Sequence, residues 1–312
     1  MRSLVIPIYG NEENIADLLV AVTSIAAKSP EFEAVFVIDG SPDRSQILLE
    51  ESLPSQGFSS QMIVHSRNFG SFAAIRTGMS HARGDAIAVM AADLQEPPEL
   101  VLEFFKSLEA NEADIVFGQR AARDEKGLSV WLSKAYWAIF RRYVVKDVPQ
   151  GGIDIFGCKR SVATTILEFG EANTSLVAQL LWVGFRRKYV PYNRRARTAG
   201  KSGWSYAKKL KYMMDSIFSF TDLPIQILFW LGLVGILLST SIGLFVFIAR
   251  VFGEITMPGY TPLMLAISFF SSTQIFSLGI IGNYVSRVFE NTKGRPLTIV
   301  AATQEFAAGK KS

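Results

Sequence analysis

Asp93 and Gln95 stand two residues apart, after the apolar run 86–92 and before Pro97-Pro98. A carboxylate and an amide oxygen on one short loop suit a hard divalent cation carrying phosphates. The same aspartate could instead cap the helix that the prolines open. On this stretch alone the two readings stand level. Other polar groups recur after apolar runs. Tyr9, Glu12 and Asn14 follow 3–8; Asp39, Ser41 and Asp43 follow 33–38. Arg67-Asn68-Phe69-Gly70 follows 61–65, and Arg120 follows 113–117. Asp154 ends the glycine-rich stretch Gln150-Gly151-Gly152-Ile153-Asp154, read as a loop.

The elements between these groups set their positions. Short apolar runs bounded by turn residues read as buried parallel strands. They alternate with helix patterns, such as Ile15, Leu18, Leu19 and Val22 on one face. That alternation predicts an α/β fold with a mostly parallel sheet covered by helices. In such sheets ligands bind outside the carboxyl ends of the strands, where all these polar loops fall.

At 312 residues with 49% hydrophobic content, the chain is apolar for a protein of its size. A single cysteine, Cys158, excludes an internal disulfide and a cysteine zinc cluster. His65 and His81 have no legible partner, so surface or capping roles are expected. Met1-Arg2-Ser3 runs straight into a strand with Pro7, which is not a signal-peptide pattern.

After residue 120 the composition shifts. An aromatic and basic helix is expected at about 128–145, suited to a membrane interface. Between Arg186 and Lys211 there are ten Lys/Arg and no Asp/Glu. Just before an apolar span, that run points to lipid headgroups and phosphates rather than nucleic acid. Residues 225–249 and 259–286 contain no charge. Each exceeds the ~20 residues a helix needs to cross a ~30 Å hydrocarbon core. The positive-inside rule puts the basic flanks on both sides, and hence residues 1–224, in the cytoplasm. Gln274 and Asn283, costly in lipid, are expected to face another helix. The domain plan is thus 1–204 globular, 205–223 an amphipathic interface helix, 224–287 a two-helix transmembrane hairpin and 288–312 a cytoplasmic tail.

Together these residues resemble the family-2 glycosyltransferases of the GT-A fold, which is Rossmann-like. The closer likeness is to the membrane-anchored branch that glycosylates polyprenyl phosphates, including dolichol-phosphate mannose synthases and bactoprenol glucosyltransferases. It covers nearly the whole chain. Pro7-Ile8-Tyr9 with Glu12 and Asn14 looks like the family's opening nucleotide-binding motif. Asp39-Gly40-Ser41 with Asp43 looks like its base- and ribose-binding loop. Arg67 to Gly70 and Asp93-Leu94-Gln95 with the double proline are similar to its next signatures. Asp154 falls where the family carries its proposed catalytic carboxylate. Arg197, Gly200, Ser202 and Trp204 resemble its diphosphate-binding loop.

The resemblance implies inverting transfer of a sugar from a UDP- or GDP-sugar to a polyprenyl phosphate at the cytoplasmic membrane face. It implies Asp154 and Asp93 in catalysis, and Asp93 with Gln95 on Mg²⁺ or Mn²⁺. Pro7, Tyr9, Glu12, Asp39, Ser41, Asp93 and Arg120 would bind the nucleotide sugar. Arg120, Arg197, Ser202 and Trp204 would bind phosphate or acceptor. A bacterial inner-membrane location and a homo-oligomer through the spans, a tetramer among the options, complete the expectation. Three departures stand out. Ile38 and Ala91 replace family acids, and Phe156 stands where an arginine is usual. They motivate a competing reading, a catalytically degenerate protein that binds nucleotide sugar or lipid. A processive synthase is disfavoured because its Gln-x-x-Arg-Trp motif does not occur.

Overall fold

The computed structural model describes residues 1–120, 153–171, 174–194, 214–215, 217–221, 223–252 and 259–309. The helix expected at 128–145, the side chains of Arg197, Ser202 and Trp204, and most of 205–223 lie outside the described residues. The chain divides into two units, Met1–Tyr212 with Arg295–Ser312, and Met213–Gly294.

The first unit is built on one sheet. Strand β1 (Arg2–Ile8) pairs in parallel with β2 (Phe32–Ile38) and with β4 (Ala86–Val89), and β2 pairs in parallel with β3 (Ser59–His65). Beyond β4 come β6 (Ile153–Lys159), β5 (Ile115–Arg120) and β7 (Arg187–Tyr192). The β5–β7 pair is parallel, whereas β6 runs antiparallel between β4 and β5. At the opposite edge β8 (Val300–Phe306) runs antiparallel to β3.

Each β2 residue is buried, matching its apolar run 34–38, because both faces of the sheet are covered; Glu33, also buried, accepts hydrogen bonds from Ser3, Gln61 and the Arg83 N–H. Leu4, Ile6, Ile8, Ala34, Phe36 and Ile38 join one core with helices α1 (Ile15–Ala27) and α4 (Pro98–Glu109). Helix α2 (Ser45–Ser52) adds Leu49 to that core. Val5 and Val37 face the other way, against α3 (Ser71–His81). Gly78 lets α3 approach the sheet, since a Cβ there would collide with Val5 and lie 3.2 Å from Val37 Cγ2. Pro7 is tolerated within β1 for a register reason. Val5 bonds on the β4 side and Ile8 on the β2 side, so Pro7 faces the β4 side beyond the last pair, Val5↔Val89. Helices α5 (Arg160–Leu167) and α6 (Leu176–Trp182) follow β6.

Two expectations change here. Asp154 belongs by its backbone to β6 rather than to a loop. The segment expected as a tail, 288–312, carries the end of a long helix and then β8.

The second unit holds α7 (Leu223–Val251) and α8 (Tyr260–Thr292). Of these, Leu223–Ile242 is long and apolar enough to cross a membrane, with a mean hydropathy of 2.0. Large apolar side chains are exposed on both helices, including Phe229, Trp230 and Phe245 on α7 and Phe269, Ile275 and Val288 on α8. Gln274 is exposed, and the Asn283 amide oxygen accepts from Arg287 Nε at 2.9 Å. A charged pair closes the apolar stretch: Arg287 Nη2 meets Asp215 Oδ1 at 2.7 Å and its guanidinium lies over Phe218.

Candidate active site

The carboxyl edge of the sheet collects the expected loops. Tyr9 to Asn14 follows β1, Asp39 to Ser45 follows β2, and Arg67 to Gly70 follows β3. Asp93 to Gln95 follows β4, and Arg120 closes β5 in register with Tyr192. Strand β6 runs the opposite way, so its first residue, Ile153, opposes Gln119. That brings the Asp154 backbone to the same edge; the Asp154 side chain lies outside what is described.

The first two loops are latched by their own side chains. Asp43 Oδ2 accepts the Glu12 N–H at 2.9 Å, and Glu12 Oε2 accepts the Arg44 N–H at 2.9 Å. The Gly10 N–H donates to Ser41 Oγ at 2.8 Å, and Ser41 Oγ donates to Asp43 Oδ1 at 2.5 Å. Burial alone would raise the Asp43 pKa, but the Ser41 hydroxyl, the Glu12 N–H and Ser45 together hold it below the usual carboxylate range. Glu12 and Ser41, expected on the donor, thus hold the loops in shape. The Tyr9 ring remains 50% exposed at this edge.

Asp39 is buried and accepts three hydrogen bonds. His65 Nδ1 and the Phe69 N–H both lie 2.8 Å from Oδ1, and the Gly70 N–H lies 2.8 Å from Oδ2. Burial pushes the Asp39 pKa up, and the His65, Phe69 and Gly70 bonds bring it below its ordinary value. Asp39 therefore folds the 67–70 turn back against β2. His65 is not a surface or capping residue: it is buried as the partner of Asp39, with Nε2 2.9 Å from Thr77 Oγ1. The signal available in sequence was only its place at the end of an apolar strand.

Gly40 makes this contact possible. Its φ is +58°, and a Cβ would fall 2.5 Å from the Asn68 nitrogen. Phe69 is held further by the His65 ring edge at 5.5 Å and by the Arg67 guanidinium 4.2 Å above it.

The Asp93 loop is shaped differently. Leu94 adopts φ +53°, a conformation uncommon for a branched side chain and found at sites the fold over-determines. The Gln95 N–H lies 3.5 Å from Asp93 Oδ1. Gln95 Oε1 accepts from Arg194 Nη2, an exposed guanidinium two residues past β7. Among the described residues no three His, Cys, Asp or Glu side chains cluster as a cation site. One carboxylate and one amide do not make an all-protein cage. They do fit a cation of the Mg²⁺ type, which keeps waters and takes further oxygens from substrate phosphates.

Elsewhere, Cys158 is buried and its thiol is pushed up to about 12 by that burial, so it is no nucleophile. Asp114 is held well below the carboxylate range by Arg186 and Lys159, a pairing that ties β5 to the start of β7.

An α/β sheet of this topology with ordered acidic loops on its carboxyl edge has the architecture of a GT-A-like sugar-transfer domain. The description "Glycosyl transferase family 2" matches residues 3–166, and the chain belongs to that family of glycosyltransferases. It is 32% identical over 301 residues to an uncharacterized glycosyltransferase of Synechocystis sp., covering 96% of this chain and 94% of that one. It is 29% identical over 304 residues to the bactoprenol glucosyl transferase of Shigella phage SfV, covering 96% and 97%. Among solved structures it is similar to glucosyl-3-phosphoglycerate synthase from Mycobacterium tuberculosis, crystallised with Mn²⁺, UDP-glucose and phosphoglyceric acid. That likeness has a TM-score of 0.46 at 14% identity, over 64% of this chain and 72% of that one.

Two variants test the geometry. Gly40→Ala forces a Cβ into the 67–70 turn at positive φ, and we expect a cost above ~2 kcal/mol in denaturation, with loss of activity. In Asp39→Asn one amide N–H must face the Phe69 or Gly70 N–H, leaving a buried donor unpaired at a cost of about 1–3 kcal/mol near neutral pH. Because the folded pKa of Asp39 is lowered, its stabilisation is complete above the unfolded value of about 4 and is lost as pH falls below it. Melting temperatures of wild type and Asp39→Asn should therefore converge in acid, and a constant gap down to the acid limit would contradict the assignment.

Proposed function

We propose that this glycosyltransferase moves a sugar, with inversion, from a UDP- or GDP-sugar to a polyprenyl phosphate at the cytoplasmic face of a bacterial membrane. The observation that carries the reading is the presence in one chain of a latched donor-type edge and two long helices with exposed apolar side chains. The near-full-length match to a relative named bactoprenol glucosyl transferase supports the lipid acceptor.

Chain connectivity supports two spans. Strand β8 lies in the same sheet as β1 to β7, which supports entry to and exit from the hairpin on one side of a bilayer. If α7 crosses, α8, with 33 residues, is the return. An exposed glutamine at 274 inside an apolar helix favours a second copy as its neighbour, hence a homo-oligomer through the spans.

Departure of the nucleoside diphosphate is the demanding step. When bound, Mg²⁺ or Mn²⁺ held by Asp93 and Gln95 supplies positive charge to that leaving group. Arg120 and Arg194 at the strand ends, with Arg197, add fixed positive charge. Tyr9 and the Arg67–Gly70 turn line the nucleotide side. A phosphate monoester has its second pKa near ~6, so the acceptor is largely dianionic at neutral pH and asks little of a general base. Asp154 acts on the acceptor side, as base or as orienting group. The degenerate-protein reading rests on Ala91 and Phe156; against it, Asp93 and Asp154 are both retained.

A panel of nucleotide sugars offered with undecaprenyl phosphate tests the reaction, the lipid product being identified by mass. One donor should give a polyprenyl-phosphate sugar, and Asp154→Asn should slow it ~10²–10⁴-fold if Asp154 is the base, with donor affinity little changed. No product with any donor would dismiss the enzyme reading in favour of the binding protein. Sidedness is checked separately with an impermeant thiol reagent on intact cells. A cysteine at Gly259 should react and one at Thr303 should not, against little background from buried Cys158. The reverse pattern would exclude a cytoplasmic site.

A further inference from the structure

The segment after the second long helix reaches the turn assigned to the donor. Arg295–Ser312 belongs to the same unit as the sheet. The Ile299 carbonyl accepts the Ser66 N–H at 3.0 Å, immediately before β8 pairs with β3. One residue earlier, Thr298 Oγ1 lies 3.0 Å from Thr77 Oγ1. Thr77 Oγ1 is 2.9 Å from His65 Nε2, and His65 Nδ1 is 2.8 Å from Asp39 Oδ1. Asp39 in turn holds the Phe69 and Gly70 N–H groups.

The chemistry of these groups gives the chain a direction. An ionised carboxylate only accepts, so His65 carries its proton on Nδ1. When the ring carries that proton alone, Nε2 accepts and the Thr77 hydroxyl donates to it. The Thr77 oxygen then accepts from the Thr298 hydroxyl. Asp39 and His65 are both buried, so water does not readily replace a missing link.

We propose that Thr298 is a positioning residue for the donor site. Through Thr77 and His65 it fixes the orientation of Asp39, and so the Phe69–Gly70 turn. The C-terminal return is then part of the site rather than a trailing end. The proposal rests on the reading of the 67–70 turn as donor-facing.

The test uses the full chain in detergent, with Thr298→Val, which keeps shape and removes the hydroxyl, and Thr298→Ser, which restores it. The first readout is amide hydrogen exchange over 66–72, with the β2 strand 32–38 as control. The second is calorimetric affinity for UDP and, separately, for GDP. Thr298→Val should speed exchange at Phe69 and Gly70 about 5-fold, leave 32–38 unchanged and weaken nucleotide binding by a similar factor, as expected for one lost hydrogen bond. Thr298→Ser should recover both. Unchanged exchange at 66–72, or an equal rise at 32–38, would overturn the relay. Faster exchange at 66–72 with unchanged nucleotide affinity would overturn the positioning role while leaving the hydrogen-bond chain intact. If wild type binds neither nucleotide, the donor reading fails, and exchange still reports whether the relay exists.

Discussion

A single buried carboxylate holds the loops after β2 and β3 together at the carboxyl edge of the sheet. Asp39 ends β2, the strand buried on both faces, and its charge is met by two backbone N–H groups and the His65 ring. A carboxylate so placed is costly unless it is hydrogen-bonded, and here three donors supply the compensation. The consequence is geometric. The 67–70 turn is drawn onto β2, Gly40 must be glycine, and Phe69 sits between His65 and Arg67. A parallel latch, Asp43 with Glu12, joins the loops after β1 and β2. The edge is therefore set in place before any ligand arrives, which is how binding sites limit the entropy lost on association.

Much of this was legible in the sequence. The strand–helix alternation of the first half, the loops on one edge and the Asp93 turn before a proline-led helix follow from local pattern. What escaped reading depended on non-local partners. An acid after a buried strand reads the same whether it faces a ligand or folds back, so the bonds that Asp39, Glu12 and Ser41 make within the edge were not legible. His65 had no visible partner because Asp39 lies 26 residues away. Strand β6 (Ile153–Lys159) carries a mid-strand Gly157, where a Cβ would lie 3.1 Å from Phe104, so packing against α4 removed the side chain that would have marked a strand. Strand β8 is largely exposed and lacks alternation, so nothing local separated it from a tail.

The Asp93 loop shows how few groups this edge uses at its charged centre. Ala91 offers no side-chain oxygen, Gln95 Oε1 accepts from Arg194, and Asp93 supplies the carboxylate. Under the proposed reaction, positive charge at a departing diphosphate would fall jointly to arginines at the strand ends and to a cation completing its shell from substrate and water. On the other side, β8 ties the chain leaving α8 to β3, so the hairpin is bracketed at both ends by residues of one sheet.

The central claim is that an ionised Asp39, paired with the Nδ1–H tautomer of His65, organises this edge. Imidazole ¹⁵N chemical shifts report that tautomer directly, and with only two histidines in the chain the signals are readily assigned. The His65 resonances should show a protonated Nδ1 and an unprotonated, hydrogen-bond-accepting Nε2 at neutral pH, and that pattern should disappear in Asp39→Asn. A His65 that carries its proton on Nε2 in the wild type, or one whose shifts ignore Asp39→Asn, would contradict the account.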